Sequence, residues 1–206
     1  MPSNSNWQLV LASQSPRRKE LLGRTGAKFQ IQVSHVEEHS SAVDPRQYAL
    51  DIALLKGQAV AQSVGEQNKI IISCDTVVAL GDKIFGKPQD HNEARQFLQQ
   101  LSGKTHQVHT ALVIMVDGEM YQHVETTEVE FARITPYLLE RYVATGDSLD
   151  KAGGYGIQGE ALAFISSING CYATVVGFPL AHFCDMMAGT VSKKLGWTQP
   201  WQNYFS

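Results

Sequence analysis

Residues 70–80 read Ile-Ile-Ile-Ser-Cys-Asp-Thr-Val-Val-Ala-Leu. The run is rich in β-branched side chains and almost continuously apolar, which predicts a strand buried on both faces in the middle of a sheet. One residue breaks it. Asp75 places a carboxylate where burial is costly unless the group is paired or coordinated. It therefore reads either as a general base or metal ligand at the edge of a cleft, or as half of a structural ion pair.

The segments around this strand set its context. Upstream, the apolar run Leu9–Ala12 leads through Ser13, Gln14, Ser15, Pro16, Arg17 and Arg18 to Leu21 and Leu22, a strand, a turn and a helix start. Ser15 suits the N-cap and Pro16 the first helical position. Arg17 and Arg18 then fall in the first turn, where each cation costs about 0.3–1 kcal/mol unless an anion is present. With an anion they form a phosphate clamp. A second helix starts at Asp44, Pro45 and Gln47, with Ala49, Ile52, Ala53, Ala59 and Val60 on its apolar stripe. Lys56 lies in line with that stripe, so its ammonium either snorkels out or points into a lined cavity.

Downstream, Gly86, Lys87 and Pro88 follow a Gly81–Asp82 turn and put Lys87 near one end of the central strand. Asp90 and Glu93 cap a helix carrying Ala94, Phe97, Leu98 and Leu101, and Thr135–Pro136 opens another that ends at Gly146. Val108–Val116 and the strand of Thr127, Val129 and Phe131 form a predicted hairpin turning at Asp117–Gly118. Leu162–Ile168 and Tyr172–Val176 read as a second, turning at Asn169–Gly170. Strand–helix units mixed with hairpins predict an α/β fold with a mixed twisted sheet and flanking helices.

At 206 residues and 43% hydrophobic, the chain suits one domain over 1–206. Residues 1–7 are expected to be flexible, and Met1–Asn6 carry no signal pattern. A net charge of −3 and a pI near 6.1 argue against a nucleic-acid polymer as partner. A local cationic cluster still suits a small anion. Three cysteines, Cys74, Cys171 and Cys184, without CxxC spacing, suit neither a disulfide framework nor a zinc ribbon, so a cytoplasmic location and no membrane partner are expected. Gly154, Gly156 and Gly159 match GxGxxG, but a charged turn precedes them and a strand-like run follows, the reverse of a dinucleotide fold. His106 and His109 fall on opposite faces of a strand and cannot chelate one metal together. Trp197, Trp201, Tyr204 and Phe205 are expected to pack on the body or on a subunit.

Taken in order, SQSPRR, CDTVV, GKP, LSGKTHQVHTA, DKAGGYGIQG and GCYATVVGFPL resemble the Maf family of nucleotide pyrophosphatases from about Leu9 to Leu180. The resemblance implies two lobes around a deep cleft and cleavage of a nucleoside triphosphate between its α- and β-phosphates. The Asp75–Thr76 pair and Tyr155–Gly159 are similar to the branch acting on dTTP and UTP. By that similarity Asp75 is the proton acceptor, and Arg17, Thr76 and Gln158 set base specificity. A neutral amide at Gln158 is able to accept from N3–H and donate to O4 of uracil or thymine.

The expected phosphate site is Ser13, Arg18, Lys56 and Lys87 with the helix N-terminus, and Asp75, with Glu38, is the expected ligand set for Mg²⁺ or Mn²⁺. A homodimer is the assembly the resemblance suggests. Gln14 departs from the family's usual glycine between two serines, and Gly146–Ser148 from its usual Gly-Glu-Pro. A nucleotide-binding regulator of septum formation and an inosine-triphosphate-type purine pyrophosphatase are the competing readings.

Overall fold

In the computed structural model, which describes residues 7–205, β3 (Lys69–Leu80) is the central strand of a seven-stranded sheet. On one side it pairs in parallel with β1 (Gln8–Leu11), which in turn pairs with the short β2 (Gln30–Ile31). On the other it is antiparallel to β5 (Thr105–Val116), followed by β6 (Glu119–Phe131) and β7 (Ile165–Asn169). The short β4 (Lys83–Phe85) folds back onto the end of β3. The sheet is thus mixed: its parallel pairs follow helical crossovers, β3–β4 and β5–β6 are hairpins, and the antiparallel pairs β3–β5 and β6–β7 are joined through helical segments. At the β5–β6 turn, Asp117 and Gly118 both have positive φ, 47° and 75°, as a tight hairpin turn requires.

Alternation along β3 divides the core. Ile71, with Val10, Val113 and Met115, packs on Ala49, Ala53, Val60 and Ala61 of α2 (Pro45–Val64). Ala61 rather than the half-buried Ala59 completes the stripe. Close approach of α2 needs Gly57, where a Cβ would sit 2.6 Å from Ser73 Oγ and 2.8 Å from Met115 Cε. Ile70, Ile72, Leu112 and Ile114 face the opposite way, onto Leu22 of α1 (Pro16–Gly23), Phe178, Phe183 and the C-terminal aromatics. Trp201 and Phe205 are buried there, and Trp197 stacks on Tyr204 at 4.2 Å. Trp7 packs edge-on against Trp197 at 5.8 Å, so the flexibility expected of 1–7 does not extend to Trp7; residues 1–6 lie outside the described residues. A third cluster forms around α3 (His91–Leu101) and α4 (Pro136–Ala144), with Phe85, Leu98, Phe131, Tyr142 and Phe164. All three clusters contribute to the wall of one cleft of about 700 Å³.

The second predicted hairpin is corrected. Glu160–Phe164 is a 3₁₀ turn, β7 pairs among the described residues with β6 alone, and Tyr172–Val176 is a short helix, α5. The chain leaves β7 at Gly170 with φ of +133°, and a Cβ there would meet Thr127 Oγ1 at 2.7 Å. Thr127 Oγ1 then accepts from the Cys171 N–H at 2.9 Å and donates to the Cys171 carbonyl at 3.1 Å. These bonds carry the chain over the sheet instead of back along β7, overriding the strand propensity of Tyr172–Val176.

Candidate active site

β1 ends where the Ala12 N–H donates to the Ile72 carbonyl at 2.7 Å. β4 begins pairing only at Val78. Between them the edge of β3 is open from Ser73 to Val77, just past the carboxyl ends of the parallel strands, the usual place for a ligand crevice. The turn after β1, the β4 turn with Lys87, and the loop carrying Gln158 close around this gap.

Arg18 rivets the first wall. Its Nη1 donates to the Cys74 carbonyl at 2.9 Å and to Ser13 Oγ at 3.3 Å, its Nε to the Gly177 carbonyl at 2.8 Å, and its Nη2 to Thr76 Oγ1 at 3.1 Å. Four of its five N–H groups are therefore committed to protein acceptors. Its charge reaches the cleft, whereas the expected direct grip on phosphate is left to one N–H. Arg17 is held less firmly, with Asp150 at 3.8 Å. Ser15 caps α1 as its sequence predicts, accepting from the Arg18 N–H at 3.5 Å. Gln14 is exposed and is not among the positive-φ residues, so it fits the turn without strain.

Asp75 lies on the other face of β3. Lys56 reaches it from α2, Nζ to Oδ1 at 2.8 Å, and the same ammonium holds Glu38 Oε2 at 2.8 Å. Lys56 and Asp75 are both buried and Glu38 is half exposed. Burial pushes the Asp75 carboxyl above its ordinary range, against the opposing pull of Lys56 and Arg18. Of the two readings left open for Lys56, the cavity-facing one is correct.

The Gln158 loop is anchored from below. Tyr155 is buried against Phe131, and its hydroxyl is 2.6 Å from His106 Nε2. Gly153 passes over Val78 with no room for a side chain, a Cβ being 2.9 Å from three of its atoms, and its N–H donates to the Gly86 carbonyl at 3.0 Å. Lys151 is spent on Asp147 and Asp150, at 2.7 and 2.6 Å. Burial lowers the His106 pKa to about 4, outweighing the Lys104 carbonyl, which raises it. The unfolded chain therefore takes up a proton near pH 6.5 that the folded chain refuses until about pH 4. Stability should fall by about 3 kcal/mol as pH drops through that window, and His106→Gln should flatten this part of the curve in urea titrations. An equally steep profile in the variant would assign the acid sensitivity elsewhere.

The family model described as Maf-like protein matches residues 8–190. The chain belongs to the Maf family. A relative from Deinococcus radiodurans named dTTP/UTP pyrophosphatase is 42% identical over 189 residues, covering 92% of this chain and 96% of its own. One of the same name from Desulforamulus reducens is 44% identical over 183 residues, 87% of this chain and 94% of its own. A third, from Bacillus cereus, is 43% identical over 176 residues, 85% and 91%. Past residue 190 the Maf chain remains in the same core, through Val191, Trp201 and Phe205.

In this Maf chain, Ser13, Arg17, Arg18, Glu38, Lys56, Asp75, Thr76, Lys87 and Gln158 all line the one cleft. Sequence reasoning missed Thr110, which holds Thr76, because it sits in a strand position that reads as ordinary core, and weighed His106, which lies under the Gln158 loop, only as a metal ligand. The donor set also bears on a metal. Among the described residues no three His, Cys, Asp or Glu side chains form a ready cage. Asp75 and Glu38 share one ammonium, which leaves a net negative charge. One or two carboxylates beside a phosphate site is the arrangement that suits Mg²⁺, which keeps its waters and takes phosphate oxygens.

Proposed function

We propose that this chain hydrolyses dTTP and UTP to the monophosphate and pyrophosphate. The observation that carries the reading is the buried Asp75, gripped by Lys56, on the floor of a cleft to which three segments bring the cations Arg17, Arg18, Lys56 and Lys87. The names of the relatives, at 42–44% identity over most of the chain, point the same way. In this reading Asp75 accepts a proton from water as its oxygen bonds to the α-phosphorus, and the bond to the β-phosphate's bridging oxygen breaks. Lys56 holds the carboxylate in line. Lys87, Arg17 and the α1 N-terminus offset charge on the phosphates and on departing pyrophosphate, with Arg18 and Ser13 shaping that wall. Asp75 and Glu38 would hold Mg²⁺ or Mn²⁺, which when bound supplies Lewis acidity toward phosphate oxygens. Gln158, on its anchored loop, would read the pyrimidine, with Arg17 and Thr76.

No helix among the described residues is long and apolar enough to cross a membrane, and the reading puts the enzyme in the cytoplasm with the nucleotide pool. A test is pyrophosphate release from dTTP, UTP, CTP, ATP, GTP, ITP and XTP with Mg²⁺ or Mn²⁺. Preference for dTTP and UTP is expected. Preference for ITP or XTP would establish the purine alternative, and tight nucleotide binding without release would establish a regulator.

A further inference from the structure

Thr110 faces Thr76 across the β3–β5 ladder and is wholly buried. Its Oγ1 is 2.8 Å from the Thr174 carbonyl and 3.0 Å from Thr76 Oγ1. A carbonyl only accepts, so the single hydroxyl proton of Thr110 goes to Thr174. The contact between the two threonines then needs the proton of Thr76. Arg18 Nη2 donates to the same Thr76 oxygen at 3.1 Å and fills one of its lone pairs. With its proton spent and one lone pair filled, the half-buried Thr76, which lines the cleft, keeps a single free lone pair.

We infer that Thr110 is a positioning residue for base selectivity: by taking the only proton of Thr76 it makes Thr76 an obligate acceptor, which favours a pyrimidine carrying hydrogen on N3 and leaves the Gln158 amide to donate to O4. The inference rests on the pyrimidine reading above. Uracil and thymine carry that hydrogen. Cytosine presents a lone pair at N3, so two acceptors would face each other, and an unmatched buried polar pair discriminates strongly. A Thr76 able to rotate its proton toward the cleft would lose this preference.

Thr110→Val keeps the volume and frees that proton. The Thr174 carbonyl still receives the Gly177 N–H at 3.0 Å, so the change leaves it partnered. The experiment measures kcat/KM for UTP and CTP in wild type, Thr110→Val and Thr110→Ser, and Kd for the α,β-imido analogues of both nucleotides. The UTP-to-CTP ratio should fall by about tenfold or more in the valine variant and return with serine. An unchanged ratio, or an equal loss on both nucleotides, would overturn the inference. If the valine variant does not fold, Thr110→Ala carries the same comparison. If wild type hydrolyses neither nucleotide, the activity reading fails while the analogue Kd ratio still decides this one.

Discussion

Asp75→Asn is expected to lower pyrophosphate release by about 10²–10⁴-fold, the usual contribution of a positioned general base, while the protein stays folded. The amide keeps the shape of the carboxylate but accepts no proton from water. Stability should hold or rise. Burial outweighs Lys56 and Arg18 in setting the Asp75 pKa, so its charge costs the folded state more than its partners return. Removing that charge relieves the cost, and Lys56 keeps Glu38 at 2.8 Å. Release measured with a coupled phosphate assay, beside a urea titration of the same samples, separates chemistry from folding. Turnover within a few-fold of wild type would sink the role given to Asp75.

Lys56→Met should have the largest effect on stability. It leaves the buried Asp75 without the ammonium now 2.8 Å away, and breaking a buried pair from one side typically costs about 3–5 kcal/mol. Glu38, half exposed, recovers its hydration. The loss should shrink as pH is lowered, because an Asp75 without Lys56 takes up a proton more readily. Adding Asp75→Asn to Lys56→Met should recover most of the lost stability, a coupling that a double-mutant cycle in urea measures directly. Activity should be lost in both. A single variant destabilised by less than about 1 kcal/mol would mean that water already satisfies Asp75.

The central strand was legible because its apolar run is too long and too even to sit anywhere else, and Asp75 and Lys56 were legible as charges out of place in apolar patterns. Their pairing was not, since it depends on how α2 lies across the sheet. The short α5 was illegible for a different reason. Tyr172–Val176 carries strand propensity, and what makes it helical is a pair of bonds to Thr127, more than 40 residues away in sequence. Arg18 was legible as a cation in the first turn of α1, yet its four partners come from Ser13, Cys74, Thr76 and Gly177, and no local pattern announces them. Thr110 looks like any β-branched strand residue until its proton is counted.

The early end of β1 has a bearing on how this chain tolerates change in length. Gln8 and Ala12 donate to the carbonyls of Asn68 and Ile72, and in a parallel ladder the next acceptor in that series is the Cys74 carbonyl. Arg18 already occupies it. The guanidinium stands where a continuing strand would bond, and so keeps the two strands from zipping shut over the cavity. Substitutions in the Ser13–Ser15 turn change one side chain at a time, as the exposed Gln14 shows. A residue inserted before Ser13 would instead offer the strand another step and move Arg18 off its acceptors, so position 14 should accept exchanges readily and the turn as a whole insertions almost never.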